Sequence, residues 1–212
     1  MDRRELLKMV AALTGGVVIG GNSFLAGCNT EDKKTTTSAA FSDNDIAFLD
    51  EVADMILPTT KTPGAKAAKV GQFMTVMVND CYEEKNQKIF HAGMGKLDDA
   101  SKKKFDNSFM KLSPQQRHEL LVQVDQETKD YQLKKVEFDK TQNDKEISEK
   151  SNGNTEFKKE EYPPHYFVMM KQLTLLGYFT SEIGATQALR YVAVPGKYEG
   201  CIPYKKGDRA WA

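Results

Sequence analysis

The sequence predicts a mainly α fold, a helical bundle that ends in an extended, aromatic- and Gly/Pro-rich C-terminal tail. Three observations lead there. Ile46, Leu49, Val52, Ala53 and Ile56, and then Val70, Phe73, Met74, Met77, Val78 and Cys81, recur three and four residues apart, the spacing that lines one face of a helix. Ser113-Pro114-Gln115-Gln116 starts a helix with a capping hydroxyl, proline at the first helical position and glutamine at the third. No run alternates apolar and polar residues over a length that would build a sheet.

Taken in order, the first helix opens at Ser42-Asp43-Asn44-Asp45, a capping box with Asp where Glu is usual, and Pro58 stops it. Thr59 to Gly64 form a turn-rich loop before the second stripe. Residues 83–110 are rich in lysine with scattered Ile89, Phe90, Leu97 and Phe105, and read as one or two exposed helices. The helix from Pro114 carries Leu120, Leu121 and Val124 inward and is expected to reach about Lys140. The charge-rich segment 141–160, with Asn152-Gly153-Asn154, reads as a mobile insert. Pro163-Pro164 opens the last helix, with Tyr166, Phe167, Met170, Leu173 and Leu176 on its apolar side. Beyond Arg190 the residues Pro195, Gly196, Gly200, Pro203 and Gly207 exclude regular helix.

The first 27 residues read as an export signal rather than as part of the fold. Arg3-Arg4 is followed by a short, glycine-diluted apolar run and then by Leu25-Ala26-Gly27-Cys28. Paired arginines mark the twin-arginine route for folded cargo, although Asp2 and Leu6 stand where Ser or Thr and Phe are usual. The last four residues resemble a bacterial lipobox, with Cys28 as the lipidated N-terminus of a mature protein held on the periplasmic face of a membrane. A transmembrane anchor is the alternative, but the apolar run falls short of the ~20 residues a span requires. Residues 28–41 are polar without periodicity and read as a flexible tether. The domain then occupies 42–212.

Composition narrows the function. The whole chain has 30 basic and 30 acidic residues. Loss of Arg3, Arg4 and Lys8 against Asp2 and Glu5 leaves a net charge near −1, with no electrostatic case for nucleic acid. His91, His118 and His165 are isolated, and no Cys-x-x-Cys-His segment is present to attach haem. The glycine cluster at 15–21 belongs to the signal. Asp98-Asp99 and Glu160-Glu161 read as solvated faces. No catalytic, cofactor-binding or metal-binding residue is expected in this chain. Cys81 and Cys201 are the cysteines beyond Cys28; in an oxidising compartment a bridge between them is the expectation, and two free thiols the alternative. The tail carries Tyr191, Tyr198, Tyr204 and Trp211 with Arg190 and Arg209, residue types that dominate protein–protein hot spots. Composition leaves equally open that this tail wraps its own bundle.

Two blocks resemble a known family, the small subunit (subunit 3) of gluconate 2-dehydrogenase-type complexes. One runs from Phe41-Ser42-Asp43 through Leu49-Asp50-Glu51-Val52-Ala53-Asp54 and Pro58-Thr59-Thr60 to Val70-Gly71-Gln72-Phe73. The other runs from Leu173 through Gly177-Tyr178-Phe179-Thr180-Ser181-Glu182-Ile183-Gly184, then Pro195-Gly196-Lys197-Tyr198-Glu199-Gly200-Cys201 and Gly207-Asp208-Arg209-Ala210-Trp211. Leu112-Ser113-Pro114-Gln115-Gln116-Arg117 lies between them; 83–110 and 141–160 depart from the pattern. The resemblance implies a non-catalytic helical subunit that binds, co-exports through the twin-arginine translocase, and anchors a large FAD dehydrogenase of the glucose–methanol–choline type acting on sugars or polyols. A cytochrome c subunit carrying haem c often accompanies such pairs. Partner contact is expected from Tyr178, Phe179 and Glu182 and from Arg190, Tyr191, Tyr198, Tyr204, Arg209 and Trp211. The alternative is a stand-alone structural or binding lipoprotein.

Overall fold

The computed structural model describes residues 41–211, which belong to one compact unit. The expected Arg3-Arg4 signal, Cys28 and all but the last residue of the 28–41 tether lie outside the described residues. Five helices carry the fold: α1 Asp43–Ile56, α2 Val70–Cys81, α3 Glu84–Phe105, α4 Pro114–Ser151 and α5 Tyr166–Thr180. A 3-10 turn, Phe109–Lys111, joins α3 to α4, and a π-helical turn, Gly184–Ala188, follows α5. Among the described residues no helix is long and apolar enough to cross a membrane.

Both capping signals act as the sequence implies. Ser42 Oγ accepts from the Asp45 amide at 3.3 Å while the Asp45 carboxylate accepts from the Ser42 amide at 2.8 Å. Ser113 and Gln116 repeat the box at the start of α4. The start of α2 has no side-chain cap of its own, because Lys69 sits in a left-handed conformation with φ 53°. Asp50 of α1 supplies the missing acceptor, taking the Gly71 amide at 2.8 Å. A side chain on Gly71 would strike the Ile46 carbonyl and the Asp50 carboxylate, so glycine is needed where α1 and α2 touch.

Helix α5 is the centre of the bundle, packing against each of the other four helices. Tyr166, Phe167, Met169, Met170, Leu173 and Tyr178 bury there against Leu49 and Val52 of α1, Met74 and Val78 of α2, Phe90 and Leu97 of α3, and Leu120 and Val124 of α4. Each fully buried side chain of this size contributes about 1.5–3 kcal/mol relative to exposure. Gly93 lets α3 close on Tyr166: a Cβ there would lie 2.3 Å from the Tyr166 Cβ.

Three expectations are corrected. The lysine-rich segment is one helix whose inner face is fully buried at Phe90 and Leu97, so it is a core helix with a charged outer side. Helix α4 does not stop near Lys140 but runs on to Ser151, and the chain after Asn152 returns along it. Polar groups join the two: Gln142 is buried and its Oε1 accepts from the Glu160 amide, Lys159 pairs with Glu146, Lys135 donates to the Tyr162 carbonyl, and Tyr131 donates to the Pro163 carbonyl. On α5, Leu176 faces solvent rather than core.

Candidate partner surface

Leu189 ends the π-helical turn, and the chain to Trp211 forms a long loop whose two ends meet. The Arg190 amide donates to the Ala210 carbonyl at 2.8 Å, and the Arg190 guanidinium lies 4.6 Å from the Trp211 ring centre. Arg209 Nη1 donates to the carbonyls of Thr186 and Gln187 at 3.2 and 2.7 Å, groups a helix end leaves without partners. The two arginines and Trp211 therefore close the base of the loop, and Tyr198 and Tyr204 lie beyond it. Tyr191, Tyr198, Tyr204 and Trp211 are all exposed, Tyr198 at 96%. Val192, Val194 and Ile202, which sequence reading did not single out, are exposed with them. The tail does not wrap its own bundle.

On the outer side of α5, Leu175, Leu176 and Phe179 are also exposed, and Glu182 follows them. Of the residues expected here, Tyr178 is corrected: it is 4% exposed and its hydroxyl donates to the Pro63 carbonyl at 2.6 Å. It pins the α1–α2 loop to the bundle and is core. Phe179, one position on, points the other way. Cys81 and Cys201 are both exposed and unbridged, against the expected disulfide.

The charged residues that stand out in the sequence are engaged within the fold. Glu51 of α1 pairs with both Lys66 and Arg117, and only 18% of its side chain and 11% of that of Arg117 reach solvent. Arg117 also donates from Nε to the Phe109 carbonyl and from Nη2 to the Met110 carbonyl, with its guanidinium over the Phe109 ring. One side chain thus ties α1, the 3-10 turn and α4 together. Burial raises Asp50 above the ordinary carboxylate range, outweighing its bond from Gly71 and the nearby Lys66. Lys171, then Lys129, hold Asp125 below that range. His165 caps α5, its Nδ1 accepting the Phe167 amide at 3.3 Å and lying 3.1 Å from Thr128 Oγ1, and burial keeps it below the usual imidazole range.

A cavity of about 580 Å³ lies between α3 and α4 over His165 and Tyr166, rimmed by Lys96, Lys103 and Lys104. Burial pushes the Tyr166 hydroxyl up to about 12, so it stays protonated. Lys104 is paired with Glu119. Among the described residues no three His, Cys, Asp or Glu side chains converge as a metal-binding set.

Residues 43–196 match the model of the family described as gluconate 2-dehydrogenase subunit 3. The chain belongs to the gluconate 2-dehydrogenase subunit 3 family. No curated protein and no solved structure matches it significantly. The match spans every helix described above and ends at residue 196, within the C-terminal loop, and its name implies a subunit of a gluconate 2-dehydrogenase-type complex. It includes α3 and the 141–160 segment, which depart from the two blocks that carry the resemblance.

Proposed function

We propose that this chain is the non-catalytic small subunit that binds, co-exports and membrane-anchors a large FAD dehydrogenase of the glucose–methanol–choline type, one that oxidises sugars or polyols outside the cytoplasm. A haem c subunit would take the electrons onward. The observation that carries the reading is the C-terminal loop. Its base is held by Arg190, Arg209 and Trp211, while its large apolar and aromatic side chains are exposed among the described residues. An exposed apolar patch of this kind on a family member of a multi-subunit enzyme is a docking surface. The exposed α5 face at Leu175, Leu176 and Phe179 extends the same proposal. Arg3 and Arg4 would route the folded, flavin-loaded pair through the twin-arginine translocase, and lipid on Cys28 would hold it at the membrane.

The test is a gentle-detergent purification of the tagged chain from its own membranes, with an absorbance spectrum and mass spectrometry of what comes with it. A co-purifying protein of dehydrogenase size with a flavin band is the expected result; a colourless, solitary chain contradicts the reading. Changing Arg3 and Arg4 to lysine should leave both proteins in the cytoplasm, and normal export of the large subunit would refute the escort role.

A further inference from the structure

Helix α4 carries a second apolar surface, away from the bundle and away from the tail. Val122, Leu133, Val136 and Ile147 are all exposed, between 57% and 70%. At 3.6 residues per turn these four positions fall within about 60° of arc along about 37 Å of helix, an arc that also holds Lys129 and Lys140 between the central pair and the two ends. The inward residues Leu120, Val124 and Thr128 lie on another side of the same helix. Four large aliphatic side chains on one outer line of a helix are a seam for another helix rather than solvated surface.

The spacing of the stripe says which helix fits. The four residues are symmetric about the point between Lys134 and Lys135: Val122 and Ile147 are equally far from it, and so are Leu133 and Val136. A two-fold axis at that point turns the stripe onto itself with the helices antiparallel. Val122 then meets Ile147 of a second copy, and Leu133 meets Val136, each contact occurring twice. This is the self-complementary pairing that a two-fold dimer requires.

A separate feature selects the same arrangement. Beside Val122 lies a groove of about 660 Å³ with Met55 and Ile56 of α1, Phe167 of α5 and Leu121 of α4 in its lining and charged residues, Lys129 and Lys171 among them, around it. Antiparallel pairing brings Ile147, near the end of the projecting part of α4, level with Val122 and therefore beside that groove. A parallel pair would set Ile147 against itself and deliver nothing to the groove. The charges along the seam are lysines with acidic neighbours. Lys129 and Lys140 come level with each other across the axis, with Asp130 and Glu137 of both copies flanking them.

We propose that α4 is a self-association surface: two copies of this chain pair antiparallel along the Val122–Ile147 stripe, and Ile147 of each copy docks beside the Val122 groove of the other. The inference does not rest on the tail as the dehydrogenase surface, because its test uses this chain alone.

The test combines sedimentation with disulfide trapping on the full chain in mild detergent, with micelles in excess. The wild-type chain should sediment at twice the chain mass. The Leu133→Glu/Val136→Glu variant should halve that mass with unchanged helical circular dichroism, since both side chains are exposed. For trapping, Cys81 and Cys201 become serine, and differently tagged Val122→Cys and Ile147→Cys chains are mixed. A mixed disulfide between the two tags is the expected product. Predominant Val122→Cys homodimers would overturn the antiparallel geometry. A monomer at roughly 100 µM wild-type chain, well beyond micromolar affinity, would overturn self-association altogether.

Discussion

The α1–α2 region lies inside the family match, whereas the C-terminal loop runs mostly beyond it, and the two regions put their charged and aromatic residues to opposite uses. In the first, Asp50, Glu51 and Arg117 are turned inward. Asp50 caps a neighbouring helix, and the Glu51–Arg117 pair joins three elements. In the second, Arg190 and Arg209 hold only the base of a loop, and Tyr191, Tyr198 and Tyr204 face solvent. A recognisable charged motif is therefore not by itself a site. Charges that the fold satisfies internally serve its stability, whereas the large apolar side chains it leaves uncovered are the ones the proposed partner would cover.

Substitutions should separate the two regions by stability. The largest loss is expected from Gly93→Ala, whose methyl would overlap the root of the Tyr166 side chain. Overpacking against a rigid neighbour costs about 3 kcal/mol, read as a lower midpoint in urea unfolding. Glu51→Ala comes next: it leaves Arg117 enclosed without its counter-charge, and about 2–3 kcal/mol should go. Ser113→Ala removes one half of the α4 capping box and should cost about 1 kcal/mol. Tyr198→Ala, in the loop, should change stability by less than about 0.5 kcal/mol while weakening retention of the large subunit. A Tyr198→Ala chain that unfolds as readily as Glu51→Ala would erase the distinction between the regions.

The smallest effect is a dependence on pH. His91 stacks on Phe41 with ring centres 4.1 Å apart, and its Nε2 is buried without a partner. Burial lowers its affinity for a proton, against a weaker pull from Asp45. For a base whose folded value is depressed, the unfolded chain binds the proton first. The stability contribution is therefore complete above the ordinary value near 6.5 and is lost as pH falls below it. His91→Phe keeps the stack and should flatten that limb, so its gain relative to wild type should be greater at pH 5 than at pH 8.

Much of the fold was legible in the sequence, and the reasons follow the range of the forces. Both capping boxes and the α1 and α2 stripes depend on neighbours three or four residues away, which sequence spacing encodes directly. The length of α4 was not legible. Residues 141–151 have almost no apolar face, and that stretch is supported by the Glu146–Lys150 pair and by contacts from the returning segment 13 to 18 residues later in the chain. Helix α5 is apolar on every side, so periodicity alone could not tell that Tyr178 is core while Leu176 and Phe179 are exposed. For the partner surface, residue types in the tail were informative, but only the structure distinguishes the arginines that close the loop from the aromatics that project from it.

The most direct measurement is a paired purification of the tagged full chain and of a chain ending at Val194, each taken from its own membranes in mild detergent. Flavin absorbance of the eluate and the thermal midpoint of the tagged chain are read side by side. The account predicts that the truncated chain loses the flavoprotein but keeps its midpoint, because the tail contributes nothing to the buried core. Retained flavin, or a midpoint many degrees lower, would show that the tail belongs to the fold and that the partner binds elsewhere.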